Sequence, residues 1–413
     1  MKNSHMGLFS FIYTLLCVVL FVHIGALGAY AEEGGFDTSM RKIVVFQKHI
    51  SHADQTKIIT RAKGVRIKQL YSKNIALVEI GSDDVFTLTK SPGVVRVEDD
   101  ARIEVFKISD DTVKKANSKE FLFEELITWG MRHIHASRGW DSEKTTEEIS
   151  VGIMDTGVSV KHPDLALRVK GGVSEVAYTS SFNDDNGHGS HVAGVIGAMK
   201  NKIGVIGVAP NVSLYAIKVL DEKGLGFVSD LVNGIDWAIE KDIKVINISL
   251  GLSEDIRSLY DAINRAHRAG IVVIAAAGNS GGQVMYPAAY PTVVAVSAVD
   301  FFHNVPYWSA RGPEIDITAP GVAIYSTFIG NRYKTMSGTS MAASFVSGVA
   351  ALTLTFDVDT KKDIAKGTCI ALYDSNCDGV WNPDEVVRKL KAGAIDLGIA
   401  GPDDMYGAGL LQL

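Results

Sequence analysis

The stretch SVGIMDTGV, residues 150–158, begins the series of segments that decides the fold of this 413-residue chain. Its apolar part ends at Asp155 and has no polar face, which is typical of strands in parallel sheets that helices cover on both sides. Further apolar strands are predicted at 213–219, 244–251 and 271–278. Helices are predicted between them, near 189–199, 229–241 and 257–269. The alternation predicts a doubly wound, mostly parallel α/β sheet, with its functional site outside the carboxyl ends of the strands.

A smaller unit precedes this sheet. Residues 36–106 show the order β-α-β-β-α-β, which is that of a small α+β split-βαβ unit. It contains no concentration of catalytic side chains. Residues 107–123, rich in Lys, Asp and Ser, are predicted to be an exposed linker that leads to the second unit, residues 124–413.

The N-terminus carries much of the chain's excess hydrophobicity, in a largely apolar run over residues 8–27. Lys2 precedes the run and the small-residue site Ala29-Tyr30-Ala31 follows it, so residues 1–31 are predicted to be a signal peptide. An uncleaved membrane anchor is the alternative, because the run is long enough to span a bilayer. With cleavage, the protein is secreted to the extracellular space or periplasm and keeps no stable membrane insertion.

Composition excludes two other classes of protein. The formal net charge of −6 argues against nucleic acid as a partner, since binding to it requires a basic face. A hydrophobic content of 46% excludes a disordered chain, because that much apolar surface can form a core.

Four polar residues lie in glycine-rich motifs at the ends of predicted strands or helices. Asp155 lies in IMDTGV, His188 in NGHGSHVAG, Asn279 in AAAGNSGG and Ser340 in MSGTSMAASF. A serine nucleophile needs a base that takes its proton and a carboxylate that orients the base. Ser340, His188 and Asp155 supply these three groups. Zinc at His188 and His191 is the alternative, but no third ligand accompanies the pair, and His191 is expected to be a packed helical histidine.

The segment DSNCDGVWNPDE, residues 374–385, matches the twelve-position calcium loop of an EF-hand. Gly379 falls at the sixth position, where that loop turns sharply. The oxygen ligands would come from Asp374, Asn376, Asp378, the Val380 carbonyl, Asn382 and Glu385. The segment therefore predicts a calcium site, with an acidic N-capped turn as the alternative.

On the motifs around Asp155, His188 and Ser340, in that order, the chain resembles the subtilisin-like serine proteases, or subtilases. The resemblance implies a serine endopeptidase that hydrolyses proteins and peptides. It implies that Asp155 orients His188, that His188 acts as general base and then as general acid, and that Ser340 attacks the carbonyl. The Asn279 side-chain amide and the Ser340 backbone N–H would hold the oxyanion.

The resemblance also implies a precursor. Residues 36–106 would be a propeptide that inhibits the enzyme intramolecularly, and residues 124–413 would be the catalytic domain. The enzyme would remove its own propeptide by cleaving a bond between about Phe106 and Phe123. A monomer is expected.

Further residues match the family's substrate groove. The two backbone segments that flank an extended peptide would be Gly224, Leu225, Gly226, Ser249, Leu250 and Gly251. Met285 aligns with the floor of the primary specificity pocket and is expected to make it shallower, which disfavours large aromatic residues before the cut. The alternative is that the two glycine segments are ordinary loops that do not bind substrate.

A second calcium site also follows from the resemblance. Its side-chain ligands would be Asp164 and Asn201, with Glu125 replacing a glutamine of the family. The other ligands would be the carbonyls of Met199, Ile203 and Val205. In an exported protein, Cys369 and Cys377 are expected to form a disulfide beside the EF-hand-like loop, with free thiols as the alternative.

The sequence departs from the family after the nucleophile, where Ser344-Phe345 replaces a Pro-His pair. This departure leaves open a catalytically silent calcium-binding or interaction protein on the same scaffold. A serine esterase of the α/β-hydrolase class is disfavoured, because Ala342 stands where a G-x-S-x-G motif has its second glycine.

Overall fold

The computed structural model of this chain describes residues 39–106, 125–140, 149–356, 358, 360–363, 368–371 and 373–413. The predicted signal peptide and the predicted linker at 107–123 lie outside these residues and stay predictions. Within the described part of the chain, no helix is both long and apolar enough to cross a membrane.

The N-terminal unit is a four-stranded antiparallel sheet with two helices. Its elements are β1 (Ser39–Phe46), α1 (His52–Arg61), β2 (Val65–Gln69), β3 (Ile75–Gly81), α2 (Val85–Thr89) and β4 (Val94–Asp99). The strand order is β2-β3-β1-β4, which confirms the predicted split-βαβ arrangement. Alternate residues of β1 face opposite ways, as strand geometry requires. Val44 and Phe46 pack under the unit's own helices, while Ile43 and Val45 join the core of the larger unit.

The larger unit is built on a seven-stranded sheet whose neighbouring strands all run parallel. Its strands are β6 (Ser150–Asp155), β7 (Val169–Ser174), β8 (Ser213–Lys218), β10 (Val245–Ile248), β12 (Val272–Ala276), β13 (Val294–Val299) and β14 (Ile315–Pro320). Their order across the sheet is β14-β13-β12-β10-β6-β8-β7. This architecture confirms the predicted doubly wound α/β fold.

Helices cover both faces of that sheet. They are α3 (Trp129–His133), α4 (His188–Gly197), α5 (Val228–Glu240), α6 (Arg257–Arg268), α7 (Thr339–Thr353) and α8 (Pro383–Gly393). The buried side chains of α4 and α7 belong to one apolar core and those of α5 and α6 to another. The larger unit also contains two antiparallel hairpins. They are β15 (Ile324–Phe328) with β16 (Arg332–Met336) and β17 (Thr360–Asp363) with β18 (Thr368–Ala371).

The predicted strand at 244–251 is divided in the structure. After β10 the chain leaves the parallel sheet, and a two-residue strand, β11 (Leu250–Gly251), pairs elsewhere. Its partner is β5 (Arg102–Val105), which also pairs with β9 (Leu225–Phe227) to form a three-stranded antiparallel sheet, β11-β5-β9. β5 comes from the end of the N-terminal unit, so this small sheet joins the two units.

Candidate active site

The fold brings the four predicted catalytic residues to one edge of the parallel sheet. Asp155 is the last residue of β6, and Asn279 follows β12 by three residues. His188 begins α4, and Ser340 is the second residue of α7. All four side chains are buried. The carboxyl ends of parallel strands face the same edge, which is where doubly wound folds place their sites.

His188 is held by Asp155. The Nδ1 atom of His188 lies 2.9 Å from both carboxylate oxygens of Asp155. Burial by itself lowers the pKa of His188, but the charge of Asp155 and the hydrogen bond with it outweigh burial and raise that pKa above its ordinary value. The pair therefore presents an imidazole with a fixed ring orientation, whose Nε2 is left to act as a base.

A second carboxylate, which the sequence reading missed, organises the start of α4. Asp184 accepts hydrogen bonds from the Thr156 hydroxyl and from the backbone N–H groups of Asn186 and Gly187, at 2.8 to 3.0 Å. The backbone N–H and the hydroxyl of Ser190 donate to its other oxygen, at 2.9 and 2.6 Å. Asp184 lies three residues before the N-cap Gly187, so the usual capping signal at a helix start does not identify it.

Glycine is required immediately before His188. Gly187 has a φ of +109°, which side chains rarely adopt, and a Cβ at this position would lie 2.3 Å from the ring of Phe328. The turn and the packing together fix where α4 starts, and hence where the imidazole of His188 lies.

Asn279 is oriented as a hydrogen-bond donor. Its Oδ1 accepts bonds from the backbone N–H and the hydroxyl of Thr339, both at 2.9 Å. Its Nδ2 donates to the carbonyl oxygen of Phe106, at 3.0 Å. Ser340 lies in the first turn of α7, where backbone N–H groups have no partner within the helix. A peptide carbonyl is therefore bound beside Ser340.

The nucleophile candidate has a local partner. Ser340 Oγ donates to the Ser249 carbonyl at 3.3 Å, and the described residues show no hydrogen bond between Ser340 and His188. Catalytic hydrogen bonds of this kind often shorten only when the reacting complex forms.

The chain segment before Phe106 lies in the predicted groove as an extended peptide would. In β5, Glu104 pairs with Leu225 on one side and with Gly251 on the other. Val105 pairs with Leu250, and its backbone N–H donates to the Gly224 carbonyl at 3.0 Å. Five of the six residues that the sequence named for the two groove segments, all except Ser249, thus bind a strand of this chain itself. The side chains of Ile103 and Val105 are buried against them.

Phe106 ends that segment, with its ring against Gly251. A Cβ on Gly251 would lie 2.6 Å from the ring, so only glycine leaves the space. Met285 lines the same cavity of about 420 Å³. The effect of Met285 on the depth of the specificity pocket stays a prediction.

Comparison with known proteins identifies the family. Residues 146–409 match the profile of the subtilase family. The chain is 45% identical over 252 residues to the thermostable alkaline protease of Halalkalibacterium halodurans, covering 60% of this chain and 69% of that protein. It is 37% identical over 353 residues to subtilisin E of Bacillus subtilis, covering 83% of this chain and 87% of the relative. The chain belongs to the subtilase family. It is a subtilisin-like serine protease.

A further relative of this subtilase is matched over only half of its own length. The minor extracellular protease Epr of Bacillus subtilis is 35% identical over 355 residues, which are 84% of this chain and 50% of that protein. The chain thus spans about half the length of that relative.

Ser344 and Phe345, the two residues of this subtilase that replace the family's Pro-His pair after Ser340, both fit into the fold. The Ser344 hydroxyl donates to the Ser340 carbonyl at 2.8 Å, within α7. Phe345 is fully buried, and Gly130 is so close to its ring that a Cβ there would lie 2.5 Å away. Both side chains are buried and pack α7.

His191 is a packed histidine, as expected. It is buried in α4, and its Nε2 lies 3.0 Å from the backbone carbonyls of Ile324 and Lys334. Burial lowers the pKa of His191 to about 3, so it stays neutral.

The EF-hand-like loop is closed by its own side chains. The carboxylates of Asp374 and Glu385 are buried, and Gly379 has a φ of +80° at the sharp turn. Glu385 accepts bonds from the backbone N–H and hydroxyl of Ser375, at 2.8 and 2.9 Å. Asn382 caps α8 through a reciprocal pair of bonds with Glu385. The donor set, made of carboxylate, amide and carbonyl oxygens, has the chemistry that calcium prefers.

The second predicted calcium site brings its residues together around a buried carboxylate. Asp164 accepts bonds from the Asn201 amide, the Val205 backbone N–H and the Tyr333 hydroxyl, at 2.9 to 3.0 Å. Glu125 accepts a bond from the backbone N–H of Asn201 at 2.7 Å. No described Lys, Arg or His pairs ionically with Asp164, so its burial leaves a negative charge that a cation would balance.

Neither predicted calcium site is a cluster of charged side chains alone. Within the described residues, no group of three or more His, Cys, Asp or Glu converges on a metal position. Both predicted sites also include amide and carbonyl oxygens. The side chain of Cys369 lies outside the described residues, so its bridge with Cys377 stays a prediction.

The N-terminal unit also caps two helices of the protease. Helices α5 and α6 begin without a side-chain cap from their own N-cap residues. Asp100 accepts bonds from the Ser229 backbone N–H and hydroxyl, at 2.8 and 2.9 Å, in the first turn of α5. Glu98 accepts bonds from the same two groups of Ser258 in the first turn of α6. The unit thus satisfies backbone donors that the protease leaves open.

Proposed function

We propose that this subtilase is a secreted endopeptidase that cleaves extended peptides through Asp155, His188 and Ser340. The observation that carries the proposal is the Phe106 carbonyl, which Asn279 binds at 3.0 Å at the end of a strand lying in the groove. A peptide carbonyl is thereby held next to a buried serine, with a carboxylate-bound histidine in the same site.

The reaction follows from the role that each group can take. Ser340 Oγ attacks the carbonyl carbon and gives its proton to His188 Nε2, while Asp155 keeps the imidazole oriented. Negative charge develops on the carbonyl oxygen, where Asn279 Nδ2 and the Ser340 backbone N–H donate to it. The C–N bond breaks as His188 passes its proton to the leaving amine. Water then releases the acyl group by the same steps in reverse.

The N-terminal unit is proposed to be the inhibitory propeptide, and the first bond cut is proposed to be Phe106–Lys107. Phe106 has its ring against Gly251 and its carbonyl on Asn279, which are the positions of the residue before a scissile bond. After the cut, pairing of β5 with β9 and β11 would keep the new C-terminus in the groove, where it blocks other peptides. The predicted extracellular location agrees with the name of one relative, a minor extracellular protease.

Calcium is proposed as a structural ion. Asp374, Asn376, Asp378, Val380, Asn382 and Glu385 would hold one ion, and Asp164, Asn201, Glu125, Met199, Ile203 and Val205 a second. The ion supplies positive charge to the buried carboxylates and takes no part in peptide cleavage. The buried carboxylates of Asp374, Glu385 and Asp164 support this assignment.

The test compares the full chain with its Ser340→Ala variant. We expect the wild-type chain to give a new N-terminus at Lys107 in mass spectrometry and to cleave casein, and the variant to do neither. Ser344→Ala, which removes another buried hydroxyl of α7, is the matched control and should retain both activities. Equal processing by the wild-type and Ser340→Ala chains would refute the mechanism, and a first cut elsewhere would refute the assignment of the bond.

A further inference from the structure

We propose that a proton on the Asp230 carboxyl group, at the junction of the two units, fastens the N-terminal unit to the protease, so that raising the pH loosens it. The inference deepens the proposed function, because it concerns how the propeptide is held. Its geometry does not depend on catalysis.

Asp230 lies in the first turn of α5, where the N-terminal unit covers it. The residue is 7% exposed. Its neighbour Ser229 donates two hydrogen bonds to Asp100 of the N-terminal unit. No hydrogen bond from a described residue reaches the carboxylate of Asp230. It is therefore buried at the junction between the units without the partners that a buried ionised carboxylate needs.

The other buried carboxylates near it each have a cation of their own. Arg41 binds Asp100 at 2.8 Å, and Lys68 forms an ion pair with Glu175. Both cations come from the N-terminal unit. Glu175 also accepts a bond from Asn233 at 2.6 Å.

Asp236, nearly two turns further along α5, has its own partners as well. Arg265 binds it through two hydrogen bonds of 2.9 Å, and Ser72 of the N-terminal unit donates to it at 2.7 Å. The two cations that act on Asp230, Arg41 and Lys68, are thus already paired with other carboxylates, and Asp230 has no cation of its own.

Protonation resolves this excess of negative charge. Burial raises the pKa of Asp230 to about 7. The negative charges of Asp100 and Glu175 also raise this pKa, whereas the positive charges of Lys68 and Arg41 lower it. Below this pH the docked complex holds Asp230 as a neutral acid. When the N-terminal unit leaves, Asp100, Arg41 and Lys68 leave with it. Asp230 then faces water at a helix N-terminus, where its pKa returns to about 3.9 or lower.

The sign of the pH dependence follows from these two states. The docked state binds the proton more tightly, so docking is favoured at low pH. The contribution of Asp230 to the affinity falls about tenfold per pH unit between roughly pH 4 and pH 7, and is constant above about pH 7. Protonation of the paired carboxylates at the junction has the opposite effect and weakens docking, because it breaks their ion pairs or hydrogen bonds. These carboxylates are Glu98, Asp100 and Glu175. Comparison with a neutral variant isolates the contribution of Asp230.

The experiment uses Asp230→Asn, which resembles the protonated acid at every pH. In the full chain that also carries Ser340→Ala, the pH dependence of the melting temperature is recorded from pH 4 to pH 8.5, with and without Asp230→Asn. We expect similar melting temperatures near pH 4 and a growing advantage for Asp230→Asn up to about pH 7. Asp236→Asn is the control, because it breaks an ion pair and should lower the melting temperature throughout. If Asp230→Asn does not fold, Asp230→Ser takes its place.

A second arm measures release directly. The self-processed wild-type and Asp230→Asn chains are diluted into buffers of pH 5 to 8.5, and the rate at which peptidase activity appears is followed with a chromogenic peptide. We expect the excess of the wild-type rate over the variant rate to increase from pH 5 to pH 7. Parallel pH profiles of the two chains in the melting arm would overturn the proposal. Absence of activity in the second arm alone would instead refute the proposed function.

Discussion

At the scale of single residues, the active site depends on Asp184 as well as on the three reacting groups. Its carboxylate accepts four hydrogen bonds from residues 186–190 at the start of α4 and one from the Thr156 hydroxyl, and its charge helps to raise the pKa of His188. Asp184 does not touch a peptide in the groove, so we regard it as a positioning residue.

Asp184→Asn tests this role. Loss of the charge lowers the pKa of His188, so the acid limb of the kcat/KM profile should move to lower pH. An amide cannot accept bonds at its nitrogen, so about 1–3 kcal/mol of stability should also be lost. Both are measured on the processed enzyme, by a pH–rate profile and by thermal unfolding. Asp185→Asn is the matched control, because that neighbouring side chain is partly exposed and pairs with Lys218. An acid limb that stays in place would contradict the assignment.

At the scale of secondary-structure elements, α5 and α6 show how one part of the chain completes another. Each helix has an apolar face that predicts its position on the sheet, but neither begins with a side-chain cap of its own. The caps come from Asp100 and Glu98, more than 120 residues earlier in the chain. We infer that the N-terminal unit assists folding partly by satisfying these helix ends.

Asp100→Ala measures the cap on α5. We expect the full chain carrying Ser340→Ala to lose about 1–2 kcal/mol of unfolding free energy, the usual contribution of an N-cap, together with part of the Arg41 ion pair. Denaturant unfolding gives the value. Asp99→Ala is the matched control, because its side chain is largely exposed and pairs only with Lys42, so its loss should stay below about 1 kcal/mol. Equal losses for the two variants would show that the cap contributes nothing of its own.

At the scale of the whole molecule, two carboxylate sites lie at opposite parts of the larger unit and are proposed to hold calcium. The Asp164 site fixes the loop after α4, and the EF-hand-like loop precedes α8. Both bury carboxylates, Asp164 in the first site and Asp374 and Glu385 in the second, whose negative charge a bound cation would stabilise.

Removal of calcium should therefore lower the melting temperature of the processed enzyme. We expect Glu385→Gln to reduce part of the calcium-dependent rise, because the amide preserves the cap on α8 but provides one oxygen less for an ion. Asp384→Asn, at an exposed residue that pairs with His267, should behave as the wild type. Scanning calorimetry with added calcium and with a chelator provides the measurement. A melting temperature that chelation leaves unchanged would refute both sites.

The sequence by itself determined the parallel α/β sheet, the split-βαβ unit and the candidate triad. Apolar strands buried on both faces and glycine-rich motifs at their ends are local features, and the sheet's edge brings those motifs together. Helix boundaries also agreed to within a few residues, since capping and breaking signals are local.

Only the tertiary structure decided which residues lie in the groove and what joins the two units. β5 alternates charged and apolar residues, but its partners are more than 100 residues away, and no local pattern reveals such pairing. The same holds for the position of Phe106, for the caps on α5 and α6, and for the charges of Arg41, Lys68 and Asp100 that surround Asp230. These features depend on charges and surfaces that distant parts of the chain bring together, whereas periodicity reports only what neighbouring residues do.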